Sequence, residues 1–208
     1  MLLTMSRLAP WWPATLESGD IVLRPLRRGD HAEWSAARRR NADWLRRWEA
    51  TQPDAGRMPS FREMVRSLNR QARSAQALPW VIAVRDPRVA KPVIAGQLTV
   101  STITWGSAKS CSIGYWIDSS RAGQGIVPRA VALAGDFCFD ELGLHRIEVN
   151  IRPENAPSLR VVEKLGFRDE GVRAQFLHID GQWADHRTFA LTKDEVKHGF
   201  EARLGAFG

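Results

Sequence analysis

Arg121-Ala122-Gly123-Gln124-Gly125 lies between a strand-like run, residues 112–117, and a helix-like run, residues 127–142. Glycines at a junction from strand to helix allow backbone N–H groups to converge on a phosphate without a Cβ in the way. The positive end of the following helix also favours an anion. This segment, called the glycine turn below, therefore predicts a binding site for a phosphate-bearing ligand.

A second block lies further along the chain. Asn155-x-x-Ser158 opens a predicted helix over residues 156–165, and Gly166 is placed to end it. Asn155 is suited to cap this helix through its side-chain oxygen. The two blocks together are more specific than either alone, because each follows a predicted strand and opens a helix.

The remaining pattern predicts an α/β (α+β) chain. Strands are expected over residues 20–26, 80–85, 93–103, 110–117 and 145–151, and a hairpin over 172–191 with Asp180-Gly181 at its turn. Helices are expected up to Arg40, over a tryptophan-containing stretch 41–48 that Pro53 ends, and over 61–75, 127–142 and 156–165. Thr192 and Glu195 form a predicted capping box for a final short helix.

Length and composition predict one globular domain. The chain has 208 residues, of which 44% are hydrophobic and 25% charged. No stretch reaches the roughly 20 apolar residues that a membrane helix needs. The N-terminus lacks the order of a secretory signal, and Met5 competes with Met1 as the start. We therefore expect a cytoplasmic protein with no membrane partner.

The net charge of +7 has two interpretations. A basic surface attracts phosphate-bearing cofactors and the vicinity of RNA, whereas an arginine-rich chain also carries arginines simply on solvated helix faces. The arginines cluster at 38–40 and 46–47. No ordered run of basic and stacking residues resembles an RNA-reading module, so no sequence-specific nucleic acid is predicted.

No metal site is predicted. Cys111 and Cys138 lie in apolar segments without metal-ligand spacing, which favours buried thiols over a disulfide or a zinc site. Asp185, His186 and His178 form a polar cluster that lacks a further ligand at fixed spacing. Hydrogen bonding within the hairpin is the favoured interpretation of that cluster.

With these residues in view, the chain resembles the GNAT acetyltransferases. Tyr115-Trp116-Ile117-Asp118 with Gly123-Gln124-Gly125 is similar to the family's acetyl-CoA motif, and Arg152-Pro153-Glu154-Asn155-x-x-Ser158 through Lys164-Leu165-Gly166-Phe167 to its second block. The resemblance implies a mixed, mostly antiparallel central sheet flanked by helices. It divides the single domain 1–208 into an N-terminal extension, 1–19, substrate-side helices, 27–75, and an acetyl-CoA-binding core, 110–167.

Two outlying stretches resemble the RimJ/RimL branch of the family, which acetylates protein N-termini. They are residues 41–49 and the hairpin segment 176–186. This likeness implies that the acceptor is a protein N-terminus, with ribosomal proteins among the acceptors. The chain departs from the family pattern at Ala122, where glutamine or arginine is usual, and at Val127, where a small residue is usual.

The resemblance also implies a set of acetyl-CoA contacts. The pantetheine arm would lie along residues 115–117 like an added strand, and the amides of residues 123–127 would bind the diphosphate. Ordinary strand packing is an equal alternative for the side chains of Tyr115 and Trp116. The implied cofactor-binding residues are Tyr115, Trp116, Ile117, Arg121, Gly123, Gln124, Gly125, Ile126, Val127, Asn155 and Ser158.

Acetyl transfer needs a neutral amine and a protonated leaving group. An α-amine has a reference pKa of about 7.7–8.0, against about 10.4 for lysine, so it needs only a weak base. The coenzyme A thiolate, formed from a thiol of pKa about 8.5, leaves more easily beside a proton donor.

The resemblance places Ser158 as that donor; the alternative is that Ser158 is an ordinary polar residue in the first turn of the helix. Glu148 on a strand is the candidate base, with a paired surface carboxylate as its alternative.

The acceptor contacts are assigned to Trp48, Glu49 and Asp185. Trp44 and Trp48 lie at helical spacing, and packing against the sheet is the favoured interpretation of Trp44. For Trp48 and Glu49, packing and a peptide groove with the carboxylate near the ammonium group both stay open.

Three functions follow from this sequence. The leading one is an acetyl-CoA-dependent N-acetyltransferase acting on a protein α-amine by direct attack, with coenzyme A as product. The second is acetylation of a small amine such as an antibiotic or polyamine. The third is a non-catalytic acyl-CoA-binding or ribosome-associated protein. Both a monomer and a dimer are compatible with the sequence.

Overall fold

The computed structural model describes residues 11–54 and 57–206 and is built on one eight-stranded sheet. The strand order is β1-β2-β3-β4-β5-β6-β8-β7, and only the β5–β6 pair is parallel. This is the mixed, mostly antiparallel sheet that the sequence predicts. The strands are β1 (Leu16–Ser18), β2 (Ile21–Pro25), β3 (Leu78–Val84), β4 (Val93–Thr104), β5 (Ser110–Ile117), β6 (Arg146–Ile151), β7 (Arg168–Ile179) and β8 (Gln182–Thr192).

Helices cover both faces of the sheet. They are α1 (His31–Arg40), α2 (Ala42–Arg46), α3 (Phe61–Arg73), α4 (Ile126–Asp136), α5 (Ala156–Lys164) and α6 (Phe200–Ala206). Helix α3 has a complete capping box, in which Ser60 and Glu63 exchange hydrogen bonds. Helix α4 runs on through a π-turn, Phe137–Glu141, so that the predicted helix over 127–142 is one continuous helical rod.

The sheet separates two groups of helices. On one face, Trp80 and Ile82 of β3 join the main core with α4 and α5. On the other face, Val81 of β3 packs with Val65 of α3 in a smaller cluster. Every side chain of β3 is buried, because this strand is covered on both sides. Helices α4 and α5 therefore lie across the sheet from α3.

The predicted N-terminal extension contributes to the sheet. Within residues 1–19, β1 pairs with β2, and Trp12 is buried against Trp80. The indole N–H of Trp80 donates to the carbonyl oxygen of Ala14 at 3.0 Å. The choice between Met1 and Met5 as the start lies outside the described residues.

The prediction for residues 41–48 is wrong in two respects. Helix α2 ends at Arg46, well before Pro53, because the chain turns to meet the β7–β8 hairpin. There the Thr51 N–H donates to the carbonyl oxygen of His178 at 2.8 Å. Trp44 is also 40% exposed and does not pack on the sheet; Leu45 is the buried residue of this short helix.

The C-terminal helix starts later than predicted. The capping box of Thr192 and Glu195 forms, but it caps a single 3₁₀ turn over Lys193–Glu195. Helix α6 begins only at Phe200, whose N–H donates to the Asp136 carboxylate at 2.7 Å. The ring of Phe200 lies between Phe139 and Phe167, with centroids 5.6 and 5.8 Å away, and so attaches α6 to the core.

Candidate functional site

The two central strands part in the middle of the sheet. Strands β5 and β6 pair only where Ser110, Cys111 and Ser112 meet Arg146, Ile147 and Glu148. Beyond these pairs, β5 continues beside β4 as far as Ile117, and β6 continues beside β8 as far as Ile151. One edge of residues 113–117 is thus left without a strand partner, and it can hydrogen-bond an extended ligand. We call this opening the splay.

The glycine turn lies at the end of β5, where the splay leads to α4. Gly123 and Gly125 have φ angles of +78° and +72°, which favour glycine. A Cβ on either residue would meet no atom of the described residues within 4 Å, so the space above the turn is open in the described structure. Gly125 is the N-cap of α4, whose first amides therefore point toward this space. The arrangement is suited to a phosphate.

The two residues that depart from the family pattern do not fill this space. Val127 is buried in the first turn of α4 and packs into the main core. Ala122 is exposed in an extended conformation.

A cavity of about 440 Å³ lies beside the glycine turn. It is lined by four arginines together with Gln124 and the carboxylates of Asp20 and Asp86; the arginines are Arg85, Arg88, Arg121 and Arg129. Three of them pair with carboxylates. Arg121 has no carboxylate partner among the described residues. A phosphate group beside α4 would therefore find at least one unengaged guanidinium.

Tyr115 and Ser158 face each other across the mouth of the splay. The Tyr115 hydroxyl is buried and has no well-formed hydrogen bond within the described residues. Burial raises the pKa of Tyr115, and the nearby Ser158 hydroxyl partly opposes this rise. A buried hydroxyl without a partner costs free energy, which is a reason to expect a ligand atom there.

The residues around Ser158 hold it in the first turn of α5. The Asn155 side-chain oxygen accepts the Ser158 N–H at 3.2 Å, which is the predicted helix cap. The cap uses the oxygen of the Asn155 amide and leaves its NH₂ group for another acceptor.

Glu148 stands at the vertex of the splay, as the last residue of β6 that pairs with β5. Arg146 donates to one of its carboxylate oxygens at 3.0 Å, and Arg173 donates to the other at 3.1 Å. Glu148 therefore lies at the splay, as predicted for a candidate base, and its carboxylate is also ion-paired, as in the alternative interpretation. Its two arginines fix its orientation.

Each of the predicted acceptor residues has contacts of its own. The half-buried Trp48 ring lies under the guanidinium groups of Arg47 and Arg152, at 4.6 and 5.8 Å. Glu49 accepts a hydrogen bond from Arg38 at 2.7 Å. Arg38 also stacks on Trp116 at 5.3 Å, so Trp116 packs on the sheet face opposite the main core.

Asp185 has a local role in the hairpin. Its carboxylate accepts the N–H of Gln175 at 2.8 Å, where a bulge in β7 gives Gln175 a φ of +48°. The neighbouring His186 is buried, and its Nδ1 lies 3.0 Å from the carbonyl oxygen of Ala184. Burial lowers the pKa of His186 below its ordinary value, so the imidazole is neutral at pH 7.

One polar network near the site is not foreseen from the sequence. Asp118, 2% exposed at the end of β5, accepts hydrogen bonds from Arg40 at 2.7 Å and from the Ser120 N–H at 3.0 Å. Asn41, fully buried, accepts the Ser119 N–H at 2.9 Å. These bonds tie the end of α1 to the segment that enters the glycine turn. The position of Asp118 directly after a predicted strand is the sequence feature that could have indicated this network.

The described residues contain no group of three or more side chains placed to hold a metal ion. In the same residues no helix is both long enough and apolar enough to cross a membrane.

Comparison with known proteins assigns the fold to a family. The model of the acetyltransferase (GNAT) domain matches residues 20–168. The chain belongs to the GNAT acetyltransferase family. The resemblance seen in the sequence is thereby confirmed.

Several GNAT relatives are similar over most of the chain. The structure of Mycobacterium smegmatis RimJ in complex with CoA-disulfide is 36% identical, with a TM-score of 0.84, and the match covers 94% of this chain and 95% of that one. The [ribosomal protein uS5]-alanine N-acetyltransferase of Escherichia coli is 30% identical over 76% of this chain and 80% of that protein. The probable N-acetyltransferase YjcK of Bacillus subtilis is 40% identical, but the match spans only 47% of this chain and 54% of YjcK.

The Asp118 network predicts a pH-dependent stability. Burial opposes ionisation of Asp118, but bonds from Ser120 and Arg40 outweigh it and lower its pKa overall. A lowered folded pKa stabilises the protein above the ordinary aspartate pKa of 3.8, and this gain is lost as the pH falls through the folded value. Asp118→Asn should therefore lower the free energy of unfolding at pH 7 by about 1.5–3 kcal/mol, with a smaller deficit below pH 3.8.

Urea unfolding between pH 7 and acid measures this difference. Asp43→Asn is the matched control, because the Asp43–Arg46 pair is exposed and should change stability by less than about 0.5 kcal/mol. Equal losses in the two variants, or an Asp118→Asn deficit that does not change with pH, would contradict the prediction.

Proposed function

We propose that this GNAT protein transfers an acetyl group from acetyl-CoA to the N-terminal α-amine of a protein, by direct attack in a ternary complex. The observation that carries the proposal is the splay with the glycine turn at its mouth. Similarity over 94% of the chain to RimJ, whose structure contains a CoA-disulfide, supports it. The E. coli relative acts on an alanine of ribosomal protein uS5, which supports a ribosomal protein as acceptor.

The residues around the splay fit acetyl-CoA. The free edge of β5 offers backbone groups to the amides of a pantetheine arm, as an added strand would require. The amides at the start of α4 suit the diphosphate, and Arg121 in the basic cavity adds a guanidinium for a phosphate group. The NH₂ group of Asn155 and the hydroxyl of Tyr115 are then available to the arm inside the splay.

Acetyl-CoA supplies the activated acetyl group, and the amine displaces the coenzyme A thiolate from it. Ser158 donates a proton to the departing sulfur in this proposal, and the proton that the attacking nitrogen loses as the amide forms restores the Ser158 hydroxyl. Tyr115 faces Ser158, and its buried hydroxyl is free to bond the pantetheine arm that carries the reacting thioester. Glu148 receives the proton of the amine through water, since its carboxylate is held at the vertex of the splay by two arginines.

The acceptor peptide is proposed to reach the splay past Trp48 and Glu49. The carboxylate of Glu49 would bind the ammonium group before its deprotonation, with Arg38 sharing that carboxylate. Asp185 contributes by holding the hairpin bulge at Gln175 and so shapes the wall of the groove.

Turnover on a panel of acceptors tests the function. The panel contains N-terminal peptides of ribosomal proteins, the same peptides with a blocked N-terminus, a lysine side-chain acceptor and polyamines. Release of free thiol from acetyl-CoA should occur with the unblocked peptides and stop when the α-amine is blocked. Polyamine turnover without peptide turnover would replace the proposal by small-amine acetylation. Thermal stabilisation by acetyl-CoA without any turnover would indicate a non-catalytic acyl-CoA-binding protein.

The Ser158 and Tyr115 roles predict separate effects. Ser158→Ala should lower kcat by about 100-fold, because it removes the proton donor. Tyr115→Phe should lower kcat by about tenfold, while the melting temperature is unchanged or higher, because a buried hydroxyl without a partner is removed. Rates of thiol release measure both effects, with Ser107→Ala in an exposed turn as the control. Full turnover by Ser158→Ala would exclude the donor.

The Glu148 role predicts a pH signature. Glu148→Gln should lower kcat/KM by about 10- to 100-fold near pH 7. The deficit should shrink above pH 8, where the α-amine, of pKa about 7.7–8.0, is already neutral. Glu170→Gln is the matched control, since Glu170 bonds the same Arg146 at 3.0 Å. A Glu148→Gln deficit that stays constant with pH, or equals that of Glu170→Gln, would show a structural role only.

A further inference from the structure

Helix α3 carries a row of arginines that the acetyl-transfer site does not use. Arg62, Arg66, Arg70 and Arg73 are all exposed. At 3.6 residues per turn they lie within a band about 80° wide, and the first and last are about 16 Å apart along the helix. We call these four residues the arginine stripe.

The arginine stripe lacks carboxylate partners in the described part of the chain. Most arginines of the other elements pair with an aspartate or glutamate, as Arg146 and Arg187 do. The single acidic residue of α3, Glu63, is occupied by Arg57 and by the Ser60 N–H. Like charges one turn apart destabilise a helix. The row therefore costs the helix stability, and a bound polyanion would offset that cost.

The basic surface continues past the N-terminus of α3. The ring of Phe61 packs against the rings of His31 and Trp34, with centroids 4.7 and 5.6 Å away. These contacts bring the turn before α1 next to the start of α3. Arg27 and Arg28 in that turn are exposed and, within the described residues, also lack a carboxylate partner.

The chemistry of the stripe favours phosphate over other anions. All its cations are arginines, whose planar forks match phosphate oxygens. Helix α3 has no aromatic residue between Arg62 and Arg73, so unstacked bases would have no platform along the stripe. The apolar side of α3, with Val65 and Ala72, is buried on the sheet and cannot enter a bilayer. We propose that the arginine stripe binds the phosphate backbone of double-helical RNA without reading its sequence.

This site is distinct from the acetyl-CoA site. Helix α3 packs Val65 on the face of the sheet opposite α4 and the glycine turn, in a cluster with Val81, while Ala72 near its C-terminal end reaches the main core. Binding of RNA and turnover of acetyl-CoA are therefore measured independently, and failure of one leaves the other intact.

Fluorescence anisotropy with a labelled RNA duplex tests the site in the full-length protein. Binding should weaken as salt rises from 50 to 200 mM, with a slope of log K against log[salt] of about −3.6 to −5.4 for about four to six phosphate contacts. Arg66→Glu with Arg70→Glu should weaken binding at least tenfold and reduce the slope by about 2. The control, Lys109→Glu with Lys197→Glu, makes the same change in net charge at exposed positions elsewhere and should change affinity less than twofold.

Each other outcome overturns the proposal. If the protein does not bind duplex RNA at 50 mM salt, the proposed site does not exist. If the two double variants weaken binding equally, the net charge of the protein and not the arginine stripe explains the affinity. Tighter binding to a DNA duplex of the same length, to single-stranded RNA, to poly-glutamate or to anionic vesicles than to the RNA duplex assigns the stripe to a different partner. Thermal stabilisation of each variant by acetyl-CoA, equal to that of the unaltered protein, verifies that the variants are folded.

Discussion

The parting of β5 and β6 is the constraint on which the rest of the structure depends. A parallel pair of only three residues cannot hold two strands together along their length. Each strand is instead secured on its outer side, β5 by β4 and β6 by β8. Backbone groups left unpaired inside a sheet are costly unless something else satisfies them. The fold therefore tolerates the opening because the outer pairing of both strands is strong and because a ligand can bond the backbone groups of the inner edge.

The elements around the opening come from distant parts of the chain and are joined by buried polar bonds. Arg40 and Asn41 lie 78 residues from the Asp118 and Ser119 groups that they bond. The helices on the acceptor side and the segment before the glycine turn thus share one network. On the other side of the opening, Thr51 bonds the hairpin at His178. Movement of α1 and α2 would consequently affect both the hairpin and the approach to α4.

The local features of the fold are predictable from the sequence, because a few adjacent residues determine them. The glycine turn, the Asn155 cap and the Asp180-Gly181 hairpin are of this kind. Strand β1 has only three residues and no clear alternation, so its pattern does not distinguish it from an extension. Helix α2 stops at Arg46 and the chain then contacts the hairpin at His178, and the spacing of residues 41–48 reveals neither this end nor the exposure of Trp44.

For the candidate site, the sequence indicates which segments meet but not how they engage one another. Tyr115 and Ser158 belong to segments that the motifs single out, whereas the burial of the Tyr115 hydroxyl near Ser158 depends on the tertiary packing of β5 and α5. The two arginines on Glu148 likewise come from different strands. Arg146 lies two residues from Glu148 on the same face of β6, a spacing that the sequence shows, whereas Arg173 is 25 residues away and has no such spacing.

The Tyr115 hydroxyl makes the site preorganised. Folding has already removed it from water without giving it a well-formed partner, at a cost of about 1–3 kcal/mol. A ligand atom that accepts its proton would gain a hydrogen bond without a second desolvation of the phenol. The desolvation of this hydroxyl thus lowers the stability of the folded core, and the same free energy does not have to be spent again when a ligand binds.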